Sequence, residues 1–356
     1  MATTALAVRN LRKTFPIRGG LFQPSFTITA VDDVSFDVMQ GETIGIVGES
    51  GCGKSTLGRC ILQLMKPDSG SVTFFGEELT ALPREEMRTR RQRIQAIFQD
   101  PLASLNPRMT VGDIITDPLR SFFPKMSKFE RRAEALRVMD AVGLLPEMMN
   151  RYPHEFSGGQ AQRIGIARAL VTEPKLIVCD EPVSALDVSI QAQILNLLDD
   201  LKKELGLTLI FISHDLSVVR HVSDRIMVLY LGRLVETAPA ERLYKRPEHP
   251  YTRALLTAVP IADPVRARAR TIEGLVGEVP SPINPPSGCH FRNRCPYSID
   301  ECARARPPLE TTGPQSASAC IRWREVDALG LRAKTHDPEQ TMTDQVIREE
   351  PAVPIP

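Results

Sequence analysis

The sequence predicts an α/β protein built on a parallel sheet, and three observations carry that expectation. Apolar runs with no polar face recur at Thr43–Val47, Leu176–Val178 and Thr208–Ile212, as strands covered on both sides require. Between the last two, Ile190, Ile194, Leu197, Leu198, Leu201 and Leu205 fall on one helical face and Gly206 follows as a stop. A strand, a crossover helix and a second strand make a βαβ unit. The first apolar run ends in a glycine-rich turn that opens a helix, the alternation expected of an α/β sheet.

The remaining elements follow in order. Ala5–Val8 and Ala30–Val38 have strand character, a helix is expected from about Lys54 to Met65, and Pro67-Asp68-Ser69-Gly70 is a turn before a strand at Ser71–Phe75. Residues 100 to about 170 look mainly helical and read as an inserted helical subdomain. Within them Ser127 and Glu130 form a capping-box pattern that opens a helix running toward Val142. Arg225–Leu231 and Leu234–Thr237, joined at Gly232, predict a closing hairpin. From about residue 245 proline density rises and periodicity fades; residues 279–286 (VPSPINPP) can only be a loop, and the polar stretch from about 330 is expected to be disordered.

Composition narrows the function classes. With 356 residues, 42% hydrophobic and 24% charged, the chain can bury one large core and carry a smaller appended domain. A formal net charge of +1 points neither to nucleic acid nor to an anionic membrane surface. The opening MATTALAVRN lacks a basic segment followed by an apolar run, so no signal peptide is expected. Leu207–Ile212 and similar runs are too short to span a bilayer, so partner chains must supply any membrane spans. The expected compartment is the cytosol.

Gly48-Glu49-Ser50-Gly51-Cys52-Gly53-Lys54-Ser55-Thr56 matches G-x-x-x-x-G-K-[ST] between a predicted strand and a predicted helix, the context that makes it a P-loop. Glycines let backbone N–H groups turn inward around phosphates, and the helix N-terminus adds partial positive charge. Lys54 would neutralise the β- and γ-phosphates of a nucleotide, and the Ser55 hydroxyl would ligate Mg²⁺. The fold class is therefore that of a P-loop NTPase. In Lys175-Leu176-Ile177-Val178-Cys179-Asp180-Glu181 an apolar strand delivers two carboxylates at its C-terminal end, where ligands of open α/β sheets bind. Asp180 would hold Mg²⁺ through water, and Glu181 would polarise the attacking water. Cys52 lies near a helix N-terminus, where a thiol pKa tends to fall; alkylation is expected to inhibit, and ATP to protect.

Ser157-Gly158-Gly159-Gln160 precedes a further helix. A capping box explains Ser157 and Gln160 but not two adjacent glycines, which cost helix stability; they are sensible where N–H groups must approach a ligand closely. FSGGQ at 156–160 resembles the signature of the ABC family, normally written LSGGQ, and other family elements fall in order. Gln99 resembles the Q-loop glutamine, Ser184-Ala185-Leu186-Asp187 the D-loop, and His214 the switch histidine. Phe15 resembles the aromatic that stacks on adenine, departing from the commoner Tyr while keeping the π-face. The resemblance implies an ABC-type nucleotide-binding domain in which two subunits pack head to tail, so that the P-loop of one and the SGGQ of the other enclose each ATP. It also implies Gln99 as a ligand of Mg²⁺ beside Ser55 and Asp180, with Gln99, Glu181 and His214 as the catalytic set.

Features outside this core resemble the ATPases of dipeptide and oligopeptide importers: Asp100-Pro101 and Ser104–Val111 after the Q-loop, His249–Leu256, and Gly288–Pro296. VRNLRKTFPIRGG and GKSTLGR resemble the F-type subunit of such systems, which pairs with a D-type partner. On this resemblance residues 5–245 form the ABC ATPase domain, 246–328 a C-terminal extension and 329–356 a tail. The partners implied are a paralogous ATPase subunit or a second copy, two transmembrane permease subunits contacted through the segment after the Q-loop, and indirectly an external substrate-binding protein. The location implied is the cytoplasmic face of the plasma membrane. A soluble ABC ATPase acting on nucleic acid or ribosomes is the alternative; its only sequence support is the basic run Arg88-Thr89-Arg90-Arg91-Gln92-Arg93, which a solvated helix face also explains.

Four of the seven cysteines cluster as C-x5-C-x6-C-x17-C at Cys289, Cys295, Cys302 and Cys320. No C-x2-C knuckle of structural zinc is present. A [4Fe–4S] cluster, towards which the family resemblance leans, zinc, and reduced thiols with an occasional disulfide all remain open.

Overall fold

The structure, a computed structural model, describes residues 3–17, 26–258 and 277–328. Its strands are β1 (Thr4–Ile17), β2 (Phe26–Met39), β3 (Thr43–Val47), β4 (Ser69–Phe74), β5 (Glu77–Glu78), β6 (Ile94–Ile97), β7 (Leu176–Asp180), β8 (Thr208–Ile212), β9 (Arg225–Tyr230), β10 (Arg233–Pro239), β11 (Glu310–Gly313) and β12 (Ser316–Ser318). The continuous apolar runs form the centre of an eight-stranded sheet of order β11-β12-β10-β9-β3-β8-β7-β6. From β9 to β6 every pairing is parallel. Every residue of β3 and β8 is buried, as strands with both faces covered must be.

The first helices are α1 (Lys54–Ile61), α2 (Arg84–Arg90) and α3 (Val111–Phe122). They are followed by α4 (Lys128–Ala141), α5 (Gly158–Leu170) and α6 (Val188–Leu205). One face of the sheet packs on α1 and on a second, antiparallel sheet of order β2-β1-β4-β5, closing a core that includes Leu6, Val34, Ile44, Leu57, Val72 and Ile210. The opposite face carries the core of the helical region, with Ile115, Met139, Ile164 and Leu198 in one cluster. Ser127 caps α4 in the expected reciprocal box with Glu130, and Gly206 ends α6 in the left-handed region at φ 62°.

Several boundaries differ from expectation. β1 and β2 run 14 residues each because they pair with one another along their length, which short-range alternation did not show. α1 stops at Ile61, and Gln63 turns into a left-handed conformation at φ 52°. The buried stripe of α6 is Ile194, Leu195, Leu198 and Leu201, whereas Leu205 is 45% exposed at the helix end. The hairpin at Gly232 does not close the sheet, because β12 pairs with β10 and β11 adds beyond it. These two strands are short and polar (ETTG and SAS), so they carry no apolar signal; the partner strand's open edge defines them. Residues 279–286 are irregular. The expected disordered tail, 329–356, lies outside the described residues. Among the described residues no helix is long and apolar enough to cross a membrane.

Candidate nucleotide site

The loop from Gly48 to Gly53 joins β3 to α1 and is braced from both sides. Gly53 sits at φ 104° at the start of α1, and a Cβ there would lie 1.9 Å from the Ala30 carbonyl oxygen. A Cβ on Gly48, at φ 153°, would lie 2.2 Å from the Leu229 carbonyl oxygen. Only glycine fits at either position. Lys54 is buried, and its Nζ donates to the carbonyls of Gly48 (2.7 Å) and Glu49 (3.1 Å). The ammonium thus caps the loop that its charge would serve.

Strand order explains the rest of the site. β3, β8, β7 and β6 are neighbours, so the residues just past their ends stand in a row, in the crevice where open parallel sheets bind ligands. Ser55, on α1 after β3, donates its hydroxyl to Asp180 Oδ1 at the end of β7, at 2.8 Å. Burial lifts the Asp180 carboxyl above its usual range, against the pull of Ser55, Arg59 and Lys54. A half-buried carboxylate and a hydroxyl this close are the oxygen donors that Mg²⁺ takes. Glu181 follows in a left-handed turn at φ 47°, and its N–H donates to the Ile212 carbonyl (2.9 Å). That turn aims its carboxylate between two neighbours: Gln99 Nε2, past β6, donates to Oε2 at 3.0 Å, and His214 Nδ1, past β8, lies 3.2 Å from Oε1. All five sequence-predicted polar side chains of this set are therefore brought together.

The Ser157–Gln160 segment starts α5. The Gln160 N–H donates to Ser157 Oγ at 3.4 Å, and the Ser157 N–H to Gln160 Oε1 at 3.1 Å. The structure supplies a reason for the paired glycines that sequence reasoning assigned to ligand approach alone. A Cβ on buried Gly159 would lie 2.5 Å from Ile190 Cγ2 on α6, and one on Gly158 would lie 3.2 Å from Leu186 Cδ2. The signature therefore packs directly on the Ser184–Asp187 segment and the helix that follows it. Gln191 holds that segment by donating Nε2 to the carbonyls of Val183 (3.0 Å) and Leu186 (2.9 Å), while Ser184 Oγ donates to the Glu181 carbonyl (3.1 Å). Asp187 is the N-cap residue of α6.

One sequence expectation changes. Cys52 is 4% exposed and packs into the core beneath the loop, so burial pushes its thiol pKa up despite the nearby Lys54. Proximity to a helix N-terminus loses to desolvation here, and ready alkylation is not expected. The basic run from Arg88 is engaged within the chain: Arg90 pairs with Glu77 at 2.6 Å, Arg91 donates to the Gln63 carbonyl, and Arg93 lies over the Phe74 and Phe75 rings. Phe15 stands half-buried on β1 opposite Ile28, with the Lys13 ammonium 5.7 Å from its ring centre.

Cys289, Cys295, Cys302 and Cys320 line one small cavity together with Phe291 and Arg322. All four are free thiols. Burial pushes the Cys295 thiol up to about 11 and that of Cys320 up to about 12. Among the described residues no group of three or more His, Cys, Asp or Glu side chains stands close enough to hold a metal ion as placed. Sequence reasoning missed two residues at the phosphate loop altogether. Tyr251 Oη accepts from the Glu49 N–H at 2.9 Å, and Arg294 grips the Glu49 carboxylate at 2.7 and 3.0 Å. Both come from beyond residue 245, and no local pattern announces a contact across 200 residues.

A glycine cradle on a parallel sheet, with hydroxyl, carboxylate, amide and imidazole ranked along adjacent strand ends, defines a P-loop ATP-binding cassette. The ABC transporter family matches residues 31–184, and the oligopeptide/dipeptide transporter C-terminal region matches residues 235–302. The chain belongs to the ABC-transporter ATP-binding proteins of the oligopeptide-transport family, and it is an ATPase of that class. It is 57% identical over 320 residues to the oligopeptide transport ATP-binding protein OppF of Escherichia coli (strain K12), covering 89% of this chain and 96% of that one. It is 54% identical to a putative peptide import ATP-binding protein of Brucella ovis, covering 90% and 98%. Among solved structures, the dimeric post-hydrolysis state of an ATP-binding cassette bound to ADP and Pi matches with TM-score 0.59 and 32% identity, covering 66% of this chain and 98% of the other.

Proposed function

We propose that this chain is the F-type ATPase of a dipeptide or oligopeptide importer and works as half of a head-to-tail nucleotide sandwich. Its mate is a paralogous D-type subunit or a second copy. Together they energise two transmembrane permease subunits from the cytoplasmic face of the membrane, and an external binding protein delivers the cargo. The alignment of Ser55, Asp180, Gln99, Glu181 and His214 along adjacent strand ends carries this reading, since it assembles a complete hydrolytic set on one chain.

In this reading Gly48–Thr56 cradles the triphosphate, and Lys54 moves from loop carbonyls to the β- and γ-phosphates. Ser55, Asp180 and Gln99 hold Mg²⁺, which neutralises charge on the phosphate oxygens when bound. Glu181 orients the attacking water, and His214 and Gln99 hold its carboxylate between them until nucleotide arrives. Ser157–Gln160 addresses the ATP held by the mate. Hydrolysis removes the anion shared by two chains, and only that difference in affinity can drive the permease between states.

Glu181→Gln is expected to trap an ATP-bound dimer, read by size exclusion with Mg-ATP and the natural mate. A Glu181→Gln protein that hydrolyses ATP at the normal rate, or stays monomeric when loaded, would sink the proposal. The four thiols around one cavity support a [4Fe–4S] site in the extension. Anaerobically purified protein should then contain iron and acid-labile sulfide in equal amounts, and their absence removes the cluster from the reading.

A further inference from the structure

Glu49 is the only acidic residue in the phosphate loop, residues 48–56. A carboxylate there would repel a triphosphate unless something cancels it. The structure shows what does. Arg294 is buried, with its side chain 4% exposed, and places Nη1 and Nη2 at 2.7 and 3.0 Å from the two oxygens of Glu49. This is the forked, bidentate geometry in which arginine holds a carboxylate most strongly.

The backbone of Glu49 is held as well. Its N–H donates outward to Tyr251 Oη, while its carbonyl accepts from Lys54 Nζ (3.1 Å) and from the Cys52 N–H (3.2 Å). Both peptide planes of Glu49 are thereby fixed. The gripping residues are themselves rigid. Tyr251 and Tyr230 pack 4.6 Å apart between ring centres, and Phe291 closes on both at 5.4 and 5.3 Å. Arg294 is locked in a turn, its N–H donating to the Phe291 carbonyl at 2.9 Å, and Cys295 follows directly.

We propose that Arg294 and Tyr251 are positioning residues for the nucleotide. Acting on Glu49, Arg294 cancels the single carboxylate within the phosphate loop, and Tyr251 holds the Glu49 backbone in its receiving shape. The C-terminal extension thus sets the affinity of the ATP site. This rests on the reading of residues 48–56 as that site, and the experiment separates the two.

The test uses the full-length chain, with a fluorescent ADP analogue for Kd and steady-state ATPase for KM and kcat. Arg294→Gln is expected to raise Kd and KM roughly tenfold, about the effect of one charge-assisted contact, with the loss falling on KM rather than kcat. The penalty should shrink only modestly as salt rises, because the Glu49 carboxylate is partly buried and screening there is weak. Adding Glu49→Gln to Arg294→Gln should restore most of the affinity, since the unpaired carboxylate is then gone. A merely structural role for Arg294 predicts the reverse, because the extension still lacks its anchor. Arg294→Gln protein that binds like wild type, or a double variant no tighter than the single, overturns the proposal. Should Arg294→Gln fail to fold, Tyr251→Phe, which removes only the hydroxyl that receives the Glu49 N–H, takes its place. An unchanged Kd in that variant overturns the proposal equally. If wild type does not bind the analogue, or Lys54→Ala binds it as well as wild type, the nucleotide-site reading fails instead.

Discussion

Gly159→Ala tests why the signature carries two glycines, because two effects of known sign meet there. At Gly159, the second residue of α5, alanine is favoured over glycine by at most the ~1 kcal/mol it gains in a helix interior. Against that, the new Cβ would lie 2.5 Å from Ile190 Cγ2, a contact that forces α5 and α6 apart. Overpacking of this kind costs roughly 1–3 kcal/mol, so the net expectation is destabilisation of about 0–2 kcal/mol. The diagnostic is the background. In an Ile190→Ala chain the opposing atom is absent, only the propensity term remains, and Gly159→Ala should stabilise by up to ~1 kcal/mol. The assay is urea denaturation of the four chains of the cycle, with midpoints converted at constant m. The same sign in both backgrounds would refute the packing argument. Nucleotide-driven dimerisation of the doubly substituted chain then separates the two roles of the glycine. Recovered stability with dimerisation still lost assigns the remainder of its function to the mate's ATP.

Two other outcomes are expected. Glu236 is buried and accepts from the Glu248 and His249 N–H groups at 2.8 and 2.9 Å, yet burial outweighs these bonds and pushes its pKa up to about 7. Because its folded pKa lies above its unfolded value of 4.5, its contribution to stability is complete below about pH 4.5 and is lost as pH rises through about 7. His249 beside it is held neutral by burial, its pKa lowered to about 3, so it contributes with the opposite slope as pH falls below its usual value. Glu236→Gln should therefore make stability, read by denaturant melts, rise more steeply between about pH 4.5 and 7 than in wild type, where Glu236 offsets His249; an unchanged slope excludes a titrating Glu236. For the cysteines, burial of Cys52, Cys60 and Cys179 and their raised pKa values predict that brief native alkylation leaves all three unmodified. Peptide mass spectrometry showing rapid labelling of Cys52 would contradict the placement of its thiol beneath the loop.

The amino-acid order by itself determined the central strands, the crossover helix and the caps of α4 and α6, because each rests on local physics. Continuous apolar runs, a helical stripe, a capping box and a stop glycine need no distant partner to be recognised. It also determined the chemistry of the phosphate loop and the acids after β7, where residue type and short spacing are the signal. What it could not determine was which distant groups those residues meet. Only strand order places Gln99 and His214 on either side of Glu181, and only the packing of α5 on α6 explains Gly159. Burial reversed the expectation for Cys52, since desolvation depends on what covers the thiol rather than on its neighbours in sequence. The polar strands β11 and β12 and the grip of Tyr251 and Arg294 on Glu49 were equally hidden. Each depends on a contact between segments far apart in the chain, and such contacts exist only once the tertiary structure has closed.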